Sequence, residues 1–228
     1  MATITQLSSR TSIHDNTNPP WLDWPDLVEA LEVAALVRCT PLGLATPQAH
    51  PAGTHGVHGV LVAEFNQQLA AHRMEYLLGR LDLPVTREVA VAGLRRRYQL
   101  HRLYLPRGER AGYGALMTTA WSQGRAAILD PSVSGGSSAR QLWRPRLAGA
   151  VWRSVLTAAG RHLHKNILGV RVADHDLAAM LVRGAQLLDA RAALRRRSGC
   201  FLISVDVGPD SQRLLGAVRS GDQFDLAV

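Results

Sequence analysis

Apolar residues recur at helical spacing in the first anchored stretch of the chain. In WLDWPDLVEALEVAALVR, residues 21–38, Leu27, Leu31, Ala34 and Ala35 fall on one stripe. Asp23 and Pro25 supply a start signal, and Pro41 sets the limit. A second stripe of Leu61, Phe65, Leu69, His72 and Tyr76 predicts a helix through GVLVAEFNQQLAAHRMEYLLGRL, with Gly79 near its end. Pro84 restarts the chain and Thr86 offers a cap, so REVAVAGLRRRYQLHRLYL reads as a helix to about Leu105. A short helix over Ala115 to Trp121 and a strand in RAAILDP ending at Asp130 complete this half.

In the second half, ARQLWRPRLAGAVWRSVLTAAGRHLHKN reads as mostly helical, with Pro145 in an N-terminal turn and Val151, Val155 and Leu156 on the apolar side. ILGVRV predicts a strand. Asp174 then caps a helix through HDLAAMLVRGAQLLDARAALRRR, whose final Arg195, Arg196 and Arg197 favour the negative end of the helix dipole. CFLISVDV alternates as a strand does, and a last helix runs from Pro209 to about Arg219. The expected fold class is mostly α-helical with a few short strands in the C-terminal half, either all-α or α+β with a small sheet. No repeat of twenty to fifty residues occurs, which argues against a solenoid.

Punctuation divides the chain into four parts. Residues 1–20 form a polar arm, 21–129 a helical region, 130–140 a Ser/Gly-rich linker or loop, and 141–228 a helical region with short strands. Within the second part, the stretch from Pro41 to Gly59 is a long Gly/Pro loop.

Composition sharpens this picture. The net charge is +8, and of 26 basic residues only Lys165 is a lysine. An arginine-rich surface suits nucleic acid or an acidic protein partner. Cys39 and Cys200 lie far apart without metal-site spacing, so neither a disulfide framework nor a cysteine zinc site is indicated. No apolar leader or long apolar run is present, and the expected localisation is cytoplasmic, without a membrane span.

Candidate chemistry is sparse. His50, His55 and His58 crowd one loop, which is the metal candidate, but a Gly/Pro loop lacks the rigid alignment that zinc-binding histidines use. His162 and His164, beside Arg161 and Lys165, are candidates for acid–base cleavage of RNA, against the plainer reading of a helix end with dipole-favoured cations. Asp174, His175 and Asp176 read as a helix cap rather than a metal site. There is no P-loop ending, GxSxG or GxGxxG. No cofactor is expected.

The segment EFNQQLAAHRMEYLLGRLDLPVTREVAVAGL, Glu64 to Leu94, resembles the cytosolic sorting-platform adaptors of type III secretion, of the YscK and OrgA type, in its apolar helix ending in LLGRL and a second helix soon after. That resemblance implies a non-enzymatic adaptor or scaffold working with protein partners in a larger complex. Trp121, Trp143 and Trp152 with Arg144 and Arg146 are its candidate contacts. The alternative is nucleic-acid binding through Arg95, Arg96, Arg97, Arg140, Arg144, Arg146, Arg153 and Arg195 to Arg197, with Tyr98, Tyr104, Trp143 and Trp152 available to stack on bases. A second alternative is a histidine-dependent enzyme acting on RNA or using a metal.

Overall fold

The Asp23 carboxylate accepts a hydrogen bond of 2.9 Å from the Asp26 amide, and helix α1 (Trp24–Arg38) starts there with Pro25 in its first turn. A computed structural model describes residues 21–40, 59–93, 97–130, 138–159, 162–164 and 167–220. After α1 come β1 (Val60–Phe65), α2 (Gln68–Arg80), β2 (Thr86–Ala92), β3 (Tyr98–Leu105) and, beyond one 3₁₀ turn, α3 (Arg110–Leu129). The second half contains α4 (Ser138–Ala158), β4 (His162–His164), β5 (Ile167–Val172), α5 (His175–Leu187), β6 (Ala193–Arg197), β7 (Cys200–Asp206) and α6 (Pro209–Ser220).

The strands form two antiparallel sheets, ordered β1-β3-β2 and β4-β5-β7-β6. These sheets are two copies of one design. Val60, Gln68, Asp82 and Thr86 have counterparts at Ile167, His175, Asp189 and Ala193, each 107 positions on. The backbone repeats in detail as well. Asp82 and Asp189 both adopt left-handed conformations, with φ of 57° and 55°. Leu83 donates to the Leu78 carbonyl and Ala190 to the Ala185 carbonyl, each at 2.9 Å, so α2 and α5 end in the same Schellman turn.

Helices α1 and α4 pack together where the halves meet. Glu32 on α1 is 1% exposed, and both of its oxygens are shared by two guanidinium groups. Arg73 of α2 donates through Nε and Nη2 at 2.8 and 3.1 Å, and Arg153 of α4 through the same atoms at 2.9 and 3.0 Å. Arg153 also reaches the Val218 carbonyl at 2.6 Å, and the Ser154 hydroxyl donates to the Glu32 carbonyl at 2.9 Å. Close approach elsewhere relies on small residues. A Cβ on Gly124 of α3 would stand 2.6 Å from the Leu31 methyls, and one on Gly184 of α5 would stand 3.3 Å from Ala148.

The α+β reading stands, but sheets occur in both halves rather than in the C-terminal half alone. Residues 60–65 are a strand, and α2 begins only at Gln68. Its buried side is Ala70, Ala71, Arg73, Met74, Leu77 and Leu78, while Leu69 is 45% exposed. The expected helix to Leu105 is instead the β2–β3 hairpin, whose ladder pairs Thr86 with Tyr104 and Ala92 with Tyr98. The expected strand before Asp130 is the last turn of α3. Pro145 lies inside α4, because that helix starts two turns earlier, at Ser138. Arg195 to Arg197 lie on β6 rather than at a helix end, since α5 stops at Leu187 and the chain reverses through Asp189. The strands at ILGVRV and CFLISVDV, and the helix from Pro209, are as expected.

Candidate nucleic-acid interface

Alternation along β5, β7 and β6 gives the C-terminal sheet two unlike faces. Leu168, Val170, Val172, Ile203 and Val205 point into the core, each at most 4% exposed. Cross-strand partners share a face, so Arg171, Leu202 and Arg195 form one row on the opposite side. Arg197 lies beside Cys200 in the neighbouring row. Arg171, Arg197, Ser198, Cys200 and Leu202 line an open groove of about 420 Å³ there. None of Arg171, Arg195 and Arg197 forms an ion pair with a carboxylate among the described residues. Asp206 is the acidic residue on this face, at the far end of β7 opposite Ile167.

The N-terminal sheet has the same construction and a different charge. Ala63, Phe65, Leu103 and Leu105 face its core. Its outer row is Glu64, Arg102 and Glu88, closed by a 2.9 Å hydrogen bond from Arg102 Nε to Glu64 Oε2. That bond and the surrounding carboxylates push the Arg102 guanidinium pKa up, despite partial desolvation.

Four arginines of the expected surface have partners within the fold. Arg153 is in the buried triad with Glu32, Arg144 donates to the Ile128 carbonyl at 3.1 Å, and Arg140 donates to the Ala126 carbonyl at 2.9 Å. Burial, then the nearby Arg183 and Arg140, lower the Arg144 pKa. Arg146 stacks 4.5 Å from the Trp143 ring on the same helix. Trp152 is a core residue whose indole N–H donates to the Leu181 carbonyl, and Tyr104 is also buried. Trp121 is covered by Arg38, at 3.7 Å, which also pairs with Asp174 at 2.5 Å. Tyr98 remains 48% exposed and Arg97 is exposed. His50, His55, His58, Arg95 and Arg96 lie outside the described residues, and His162 and His164 are placed only by their backbone on β4. Asp174 caps α5 as expected, accepting from the Leu177 amide at 2.8 Å.

Sequence reasoning does not find Arg171 and Leu202, which complete the basic row. That row forms only if 193–197 is a strand. The spacing of 107 residues between the halves carries the signal, since it sets ILGVRV and ALRRR against two segments that share one sheet.

No protein-family model matches the chain, and no curated protein matches it. Solved structures do. The N-terminal LAGLIDADG domain of DUF199/WhiA is similar over 87% of this chain and 85% of that one, with a TM-score of 0.53 and 11% identity. I-DmoI in complex with DNA and manganese is similar over 85% and 97%, with a TM-score of 0.51 and 11% identity. Mesophilic variants of the homing endonuclease I-DmoI give 85% and 97%, a TM-score of 0.52 and 13% identity. The fold is therefore that of a LAGLIDADG domain.

This likeness overturns the resemblance to type III secretion adaptors and the adaptor function drawn from it. The segment from Glu64 to Leu94 contains a strand, a helix and a strand of this fold, not two consecutive helices. The expectation of a non-enzyme is corrected too, because a homing endonuclease shares the architecture. Among the described residues, no three His, Cys, Asp or Glu side chains stand together. At the C-terminal end of α1, Arg38 pairs with Asp174, and the thiol of Cys39, the residue that follows the helix, is pushed up to about 12 by burial and by Asp174. No helix among the described residues is long and apolar enough to cross a membrane.

Proposed function

We propose that this chain binds double-stranded DNA through the outer face of its C-terminal sheet. The observation that carries the reading is the row Arg171–Leu202–Arg195 with Arg197 beside it, set over a groove and unpaired among the described residues. Guanidinium forks suit phosphate oxygens, and the strand spacing holds them in a fixed array. A sheet face that presents cations around a half-buried leucine has no packing role that requires those charges. The solved neighbour in complex with DNA supports DNA as the ligand.

The test is fluorescence anisotropy of a labelled duplex between about 50 and 200 mM salt. Affinity falls log-linearly with salt, and Arg171→Ala with Arg195→Ala lowers the slope by about 0.9 for each phosphate that is no longer neutralised. Salt-independent binding, no binding, or an unchanged slope in the double variant would overturn the reading. Incubating the same complexes with Mg²⁺ or Mn²⁺ and resolving the strands on a denaturing gel reports any cleavage.

A further inference from the structure

The two sheets occupy equivalent places in a repeated fold, yet their equivalent outer positions carry opposite charge. Glu64 and Arg171 correspond, as do Glu88 and Arg195, both at the offset of 107 residues. Between them, Arg102 on β3 and Leu202 on β7 hold the same place in the ladder, each paired with both residues of its row. The N-terminal row thus reads acid–base–acid, and the C-terminal row base–apolar–base. Arg102, the lone cation of the first row, is engaged by Glu64 at 2.9 Å. Phosphates repeat regularly along a duplex, so two like sheets with like charges would grip two like stretches of backbone. Here one row attracts phosphate and the other repels it.

We infer that Glu64 and Glu88 are specificity-determining residues that confine the duplex to the C-terminal sheet, so that the protein grips one stretch of backbone rather than two. This rests on the DNA-binding reading above. It adds that the N-terminal row is held shut against phosphate by its own carboxylates. Glu64 restrains Arg102, and Glu88 leaves the row net negative even when that pair is intact.

The experiment compares the full chain with two double variants that remove the same charge. Glu64→Gln with Glu88→Gln alters the outer row. Glu29→Gln with Glu75→Gln alters the helical side, where Glu29 pairs with Arg80 and Glu75 with Arg87. Hydroxyl-radical footprints and salt slopes are measured for each on one duplex. The row variant is expected to bind about tenfold tighter near 100 mM salt, to steepen the slope by about 0.9 as Arg102 gains a phosphate, and to lengthen the footprint. The helical-side variant keeps the parental footprint. If both variants behave alike, or if the row variant keeps the parental footprint and slope while the parent binds DNA, the confinement is wrong and the DNA-binding reading survives. If the parent binds no duplex at all, both fall together. A thermal melt of each variant confirms that the fold is retained.

Discussion

Arg153 of α4 and Glu32 of α1 face each other through two hydrogen bonds of 2.9 and 3.0 Å, with side-chain exposures of 6% and 1%. Glu32 is thereby tied to the opposite half of the molecule, while Arg73 ties the same carboxylate to α2. Glu32→Gln removes the carboxylate charge that two buried guanidinium groups share. It is expected to destabilise the fold by about 3–5 kcal/mol in urea unfolding, whereas replacing all three residues by apolar side chains costs far less. A single variant as stable as the parent would show that the triad is dispensable.

Parity along β6 makes a sharper prediction. Arg195 and Arg197 share the outer face, and Arg196, paired with Phe201, points the other way. Arg195→Ala and Arg197→Ala should each weaken duplex binding and lower the salt slope by about 0.9, while Arg196→Ala leaves the slope unchanged. Equal effects from all three would mean that DNA senses only the net charge of the strand.

His101 provides a pH dependence. It is 3% exposed on the core side of β3, its Nδ1 has no hydrogen-bond partner among the described residues, and burial followed by Arg87 lowers its pKa. The unfolded chain therefore takes up this proton more readily than the folded one. The stabilisation is complete above about pH 6.5 and is lost as pH falls below it. Thermal melts between pH 7 and 5 should show a shallower decline for His101→Leu than for the parent.

The matched helix ends can be tested at Asp189, whose φ of 55° disfavours a side chain. Asp189→Ala is expected to be less stable than Asp189→Gly by about 1 kcal/mol in urea unfolding, because alanine keeps the Cβ penalty and forgoes the local polar interactions of aspartate.

Where the sequence is legible, one signal dominates. Asp23 with Pro25 and Asp174 mark helix starts whatever surrounds them, and the alternation in CFLISVDV has no helical counterpart. Residues 86–105 mislead because Arg87, Val89 and Val91 lie on an edge strand with little burial, so its exposed and apolar positions do not alternate clearly. The stripe through Leu61 and Phe65 runs a strand and a helix together across Asn66 and Gln67. The candidate interface is harder still. Arg171 gains its meaning from Leu202 and Arg195, which are distant in sequence and adjacent only in the ladder.

The repetition at 107 residues has one more consequence. Two separate identical subunits related by a two-fold axis would have to present the same residue at each equivalent place. Joining the two units in one chain removes that obligation. Glu64 can then differ from Arg171, and the repetition of shape is kept while the repetition of charge is not.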